Sequence, residues 1–153
     1  APQRMNLTYM DEKGEKKHPI IIHRAILGSY ERFIAFLLEQ TEGKLPLWLS
    51  PVQVRIVNFT DRNTKAAGKI VDILKEKLPK LRIDSDFRNT TVSDKVRDAE
   101  LQKIPYIIVM GDKEEEKKTL AVRERGSKPK FGIKVDKFIE DLKKEINEAY
   151  KNL

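Results

Sequence analysis

Hydrophobic and polar positions alternate in one rhythm at the start of the chain and in another after residue 51. Residues 5–10 (MNLTYM) have strand composition, residues 11–17 (DEKGEKK) form a polar turn centred on Gly14, and residues 18–23 (HPIIIH) are β-branched. Pro19 sits at the entry of this last run, where a missing donor is tolerated. The three pieces predict a hairpin. Residues 29–42 follow with Tyr30, Phe33, Ile34, Leu37 and Leu38 at helical spacing and Ser29 as N-cap. Gly43 and Pro46 end that helix. Residues 45–51 (LPLWLSP) carry two prolines and no helical period, which marks them as a linker.

Beyond the linker, strand and helix patterns take turns. Residues 52–58 (VQVRIVN) read as a strand, and 62–77 as a helix with Ala66, Ala67, Ile70, Ile73 and Leu74 on one side. A strand is expected over 81–86 and a helix over 93–103 with Val96 and Ala99 inward. Residues 106–110 (YIIVM) are apolar throughout, as in a strand buried on both faces. Residues 111–118 are expected to turn the chain, 119–125 (TLAVRER) to return it antiparallel, and 131–135 to add a short strand. A last helix starts at Asp136, with Phe138, Ile139, Leu142, Ile146 and Tyr150 on one face. This β-α-β-α-β-β-β-α order implies an α/β domain with a mostly parallel, mixed sheet covered on both faces.

Composition narrows the chemistry. At 39% apolar residues, the 153-residue chain can pack a core, and no apolar run has the length of a membrane span. There is no cysteine, which excludes disulfides and thiolate metal sites and permits a cytoplasmic setting. The chain begins APQR without an initiator Met, so a fragment or processed product is expected. The net charge is +7, and nearly all of the excess lies after residue 50, where 24 Lys and Arg face 18 Asp and Glu. A basic domain attracts polyanions, nucleic acid first. A highly charged soluble surface would look the same.

The usual enzymatic constellations are missing from the sequence. It holds no glycine-rich phosphate loop, no serine nucleophile elbow and only two histidines, His18 and His23, too few to close a metal site without cysteine. One block stands out, residues 23–33 (HRAILGSYERF). Its Gly28 permits close backbone approach, Ser29 puts a hydroxyl beside free helix amides, and Arg32 offers a planar fork to a phosphate. An ordinary capped amphipathic helix has the same features.

HRAILGSYERF resembles the third signature motif of class II aminoacyl-tRNA synthetases, in the form found in the threonyl-tRNA synthetase family. The similarity runs on through LPLWLSPVQV, DFRN (residues 86–89), KVRDAELQKIPYIIVMGDKE (95–114) and AVRERG (121–126), so it covers essentially the whole chain. The resemblance implies two parts. Residues 1–46 correspond to the end of the class II catalytic domain, a β-hairpin and helix. Residues 47–153 correspond to a three-layer α/β/α anticodon-binding domain with a five-stranded mixed sheet.

By the same resemblance Arg32 binds ATP, Ser29 contacts the adenylate region, and His23 is a zinc ligand only in the full-length enzyme. Asn89, Glu114 and Arg123 match positions that contact the anticodon, with Lys95 and Arg97 as phosphate contacts. The expected partner is the anticodon stem-loop of threonine tRNA, tRNA(Thr), with no membrane involved. ATP with magnesium, and zinc, belong to the full-length enzyme, an expected homodimer. The fragment, lacking motifs 1 and 2, is expected to be monomeric, inactive alone and without bound cofactor. An alternative implied by the same residues is a non-catalytic or editing-type synthetase paralogue that uses the domain as a tRNA-binding module. At 93–94 the chain has Ser-Asp where many members of the family carry Gly and a small or apolar residue.

Overall fold

The structure, a computed structural model, describes residues 2–151; within that range nothing is said of the Tyr150 side chain, so its expected place on the last helix lies outside the description. The chain divides into two compact units, residues 1–37 and 38–153.

In the first unit, β1 (Tyr9–Met10) pairs antiparallel with β2 (Lys16–Lys17). The Asp11 carboxylate holds the turn, accepting from the Lys13 and Glu15 amides at 2.9 Å and from Lys17 Nζ. The hairpin is shorter than expected, and residues 18–23 are not a strand. Ile20 and Ile22 are 90% and 85% exposed. β-Branched composition yields a strand only where a neighbour supplies hydrogen bonds and an apolar face; no described strand lies beside this run, and the His18 ring, not its backbone, meets the Leu7 carbonyl at 2.8 Å. Helix α1 (Tyr30–Thr41) starts where expected, with the Arg32 amide donating to Ser29 Oγ at 3.4 Å.

The second unit is a five-stranded mixed sheet in the order β4-β3-β5-β6-β7. The strands are β3 (Val54–Asn58), β4 (Ile83–Asp86), β5 (Tyr106–Met110), β6 (Thr119–Glu124) and β7 (Lys130–Lys134). β3 pairs parallel with β4 and β5, while β5–β6 and β6–β7 are antiparallel. Every residue of β3 is buried, Arg55 and Asn58 included, as befits a strand with neighbours on both sides and helices over both faces.

Alternation along the strands sends Val54, Ile56, Ile108, Leu120 and Val122 to one face. There they pack with Ala67, Ile70 and Leu74 of α2 (Thr64–Lys77) and with Phe138, Ile139 and Leu142 of α5 (Val135–Lys151). Val57 and Ile107 face the other way and meet Ala99 of α3 (Val92–Leu101). Three layers result. α2 and α3 lie on opposite faces of the sheet; β3 leads to β4 on one side and β5 to β6 on the other, so the connections diverge at the carboxyl ends of β3 and β5, where open α/β sheets form their crevice.

Two expectations are revised here. Residues 45–51 are not a free tether: Leu47 and Ser50 are buried, Gln53 Nε2 donates to the Leu47 carbonyl at 2.8 Å, and Arg82 donates to the carbonyls of Ser50 and Trp48. Residues 111–118 are not a plain turn. They contain helix α4 (Asp112–Lys117), entered through Gly111 and closed by Lys118 in the left-handed conformation. Asp112, Glu114 and Glu115 in its first turn and Lys117 in its last suit the helix dipole, which a reading by apolar period cannot register.

Candidate nucleic-acid interface

A groove with a volume of about 860 Å³ opens on the α3 side of the sheet. Its floor comes from Val109 of β5 and Ala121 of β6; Val92 and Val96 of α3 contribute one side, and α4 contributes Glu114 and Lys117. Arg123 of β6 also lines it. Two of the three residues expected to read bases therefore meet in one concavity.

Glu114 is placed by α4, and α4 is fixed by its neighbours. The fully buried Asn63, just before α2, donates through Nδ2 to Asp112 Oδ1 at 2.8 Å and to Glu115 Oε2 at 3.0 Å. Arg62 adds an ion pair to Asp112. Glu114, three residues beyond Gly111, folds its carboxylate back, so that a Cβ built on Gly111 would stand 2.9 Å from Glu114 Oε2. Gly111 has φ −115°, which any residue adopts; what it provides is room for that carboxylate.

Arg123 stands opposite Ile107 in the β5–β6 register. Its Nη1 donates to Glu100 Oε1 of α3 at 2.5 Å, and its side chain keeps 35% exposure. The guanidinium is held at the groove with donors left over.

Asn89 is exposed in the loop between β4 and α3 and does not line the groove; Val92, three residues on, does. The loop is stapled by Arg88, a residue the sequence pattern did not single out. Its guanidinium donates to both Asp86 oxygens at 2.9 and 2.6 Å and to Asp98 Oδ2 of α3 at 2.6 Å. That bond to Arg88 holds the Asp86 carboxyl below its ordinary value, against the opposing effect of burial. Thr91 caps α3 by accepting from the Asp94 amide.

Lys95 is a correction. A phosphate contact needs an exposed ammonium, and Lys95 is 1% exposed, its Nζ donating to Asn58 Oδ1 at 2.6 Å. It is an internal strut between α3 and the end of β3. Arg97, two residues on, is exposed. The groove also holds cations that the pattern missed, Lys113 and Lys117, one turn apart on α4.

The scan against family models matches residues 53–145 to the anticodon binding domain. The chain belongs to that family. Residues 1–41 match the tRNA synthetase class II core domain of the G, H, P, S and T group. The anticodon-binding domain and its leading segment are 46% identical over 145 residues to a threonine–tRNA ligase of Alkalilimnicola ehrlichii and 44% identical to one of Clostridium botulinum. Each alignment covers 95% of this chain and 22% of the relative, so the chain spans about a fifth of the length of the curated relatives it matches. Among solved structures, the RNA binding domain of a threonyl-tRNA synthetase from Cryptosporidium parvum Iowa II aligns with a TM-score of 0.72 and 32% identity, over 94% of this chain and 36% of that one. A prolyl-tRNA synthetase of the same organism shares the fold at 22% identity and a TM-score of 0.68, over 96% of this chain and 31% of that one.

In the first unit, Ser29 and Arg32 are exposed at the start of α1. Glu31 is held below its ordinary value by its own backbone amide and then by the Ser29 hydroxyl. His23 is exposed, and no described cluster of three or more His, Cys, Asp or Glu could hold a metal ion. No described helix is long and apolar enough to cross a membrane.

Proposed function

We propose that this chain is the anticodon-reading portion of a threonine–tRNA ligase, and that the groove between α3 and α4 receives the unpaired loop of threonine tRNA. The observation that carries the reading is Glu114 and Arg123 lining one open concavity. Unpaired bases expose their Watson–Crick edges, which proteins read by hydrogen bonds and stacking. A carboxylate such as Glu114 accepts from the N1–H and N2–H₂ of a guanine, and threonine anticodons end in G-U. Arg123 donates a planar fork. Asn89 supplies a donor and an acceptor from a loop that leads into the groove wall. Arg97, Lys113 and Lys117 meet phosphates, which position the RNA without specifying it.

In this reading Ser29 and Arg32 contribute to ATP binding, and His23 to a zinc site, in the longer protein, a cytoplasmic homodimer that joins threonine to its tRNA with ATP and magnesium. The isolated chain binds RNA without catalysing that reaction.

The test is binding of a threonine anticodon stem-loop, against one whose central G is replaced by A. Wild-type protein should prefer the G form by roughly 5- to 150-fold, since a good paired contact is worth about 1–3 kcal/mol. Glu114→Gln, which converts one acceptor oxygen to a donor, should abolish the preference. Equal binding of both RNAs by the wild type, or an undiminished preference in Glu114→Gln, overturns the reading.

A further inference from the structure

Two large apolar side chains in the groove remain without a role. Phe59, just beyond β3, is 54% exposed, and Phe131 of β7 is 71% exposed; both line the groove. Each is placed by a definite backbone device. The Phe59 amide donates to the Met110 carbonyl at 2.8 Å, extending the β3–β5 ladder by one residue. Phe59 thereby stands on the same face as Val57, two residues earlier, beyond the part of that face that α3 covers.

Phe131 is the more telling case. Ile133, two residues on, packs against the α2–α5 core, so in a regular strand Phe131 would point into that core as well. It does not, because the β6–β7 register shifts. Leu120 pairs with Ile133 and Val122 with Lys130, leaving Ala121 opposite two residues, Phe131 and Gly132. Gly132 takes φ +73°, the left-handed conformation that glycine adopts without strain. With two residues sharing the one position opposite Ala121, the phenyl ring faces the groove rather than the interior.

We propose that Phe59 and Phe131 are stacking surfaces for two different unpaired nucleotides of the RNA loop, a step that rests on the reading above. β3 and β7 lie three strand spacings apart in the sheet, roughly 14 Å. Two rings enclosing one base need about 7 Å, twice the stacking rise of about 3.4 Å. The rings therefore take separate bases. Phe59 takes the base that Glu114 reads, because the Phe59 Cβ lies 3.7 Å from the same point above Gly111 that stands 2.9 Å from the Glu114 carboxylate. Phe131 takes another, beside Ala121 and Arg123. The floor of Val109 and Ala121 offers these bases an apolar bed. Lys113 and Lys117 supply charge that an uncharged protein partner would not need.

The experiment measures affinity of the full chain, at fixed low salt, for the threonine anticodon stem-loop and for a set of stem-loops each abasic at one loop position. Phe59→Leu and Phe131→Leu keep an apolar side chain and remove the π-face; both rings are exposed, so melting temperatures should match the wild type. Each variant should bind the intact loop roughly 5- to 100-fold more weakly, the range for losing one base–aromatic stack. For each variant one abasic position should cancel that loss, and the two positions should differ, Phe59 mapping to the guanine that Glu114 discriminates. Wild-type affinity in both variants, a loss that persists on every abasic loop, or one position cancelling both losses overturns the stacking assignment. If Glu114→Gln still abolishes guanine preference in those cases, the anticodon reading stands without it. If the wild type binds no loop better than a plain duplex, both fall.

Discussion

Arg123 of β6 is ion-paired to Glu100 of α3 at the lip of the groove, with both side chains partly open to solvent. An exposed pair of this kind is worth only about 0.2–1 kcal/mol, so a ligand can draw Arg123 away at little cost. Glu100 also places a negative charge beside the proposed RNA path. Glu100→Gln should bind the stem-loop roughly 2- to 5-fold more tightly at low salt, with the gain fading as salt screens the charge. Its unfolding free energy should change by less than about 1 kcal/mol. A 10-fold loss of affinity would instead make the pair a fixed brace that the RNA needs.

Gly111 offers a route to Glu114 that leaves the carboxylate in place chemically. Its backbone conformation is open to alanine, and the only close approach of the new methyl is to Glu114 Oε2. Gly111→Ala should therefore fold, at a cost of about 1 kcal/mol or less for a poorer N-cap. It should lose guanine discrimination to the same extent as Glu114→Gln, and add nothing in the double variant. Additive losses would mean that Gly111 acts through some other group.

Lys95 and Arg97 are two residues apart and should behave in opposite ways. Lys95→Met strips Asn58 Oδ1 of its buried donor and should destabilise the fold by about 1–3 kcal/mol in denaturant titrations. RNA affinity of the folded fraction should be unchanged. Arg97→Ala should leave stability within about 0.5 kcal/mol and reduce the slope of log K against log salt by about 1. Salt should weaken binding of the wild type by orders of magnitude, because neutralised phosphates release counterions.

Acid should loosen the Asn89 loop before it melts the core. The folded-state pKa of Asp86 lies below its ordinary 3.8, chiefly through Arg88. Its contribution to stability is thus present above that ordinary value and disappears as pH falls through the lower folded one. Asp86→Asn should be less stable than wild type at neutral pH, and the two curves should converge once pH has fallen below the lowered folded-state value. Parallel curves down to that pH would show that the staple contributes nothing through ionisation. Amide exchange in residues 87–91 should rise first.

Where the sequence was legible, one physical rule dominated. The buried runs of β3 and β5 and the helical spacing of Ala67, Ile70 and Leu74 in α2 and of Phe138, Ile139 and Leu142 in α5 all report burial through the period of their element, and the layers follow from them. Residues 18–23 misled because strand propensity is conditional on a neighbour. α4 was missed because a run of charges carries no apolar period, although its dipole-matched ends encode a helix. Lys95 looked like a surface cation because helical position alone cannot say that its tip reaches Asn58, 37 residues away in sequence. Phe131 escaped notice because it lies at a bulge, where strict alternation fails.

That bulge has a consequence for how the domain can vary. Strand β7 changes parity at Gly132, so the residues on either side of it serve opposite surfaces. Removing Gly132 would restore unbroken alternation with Phe131 still opposite Ala121 on the groove side, whereas a regular register that kept Gly132 would drive the phenyl ring inward to compete with Ile133. The bulge absorbs one residue of strand length while each side chain keeps its surface.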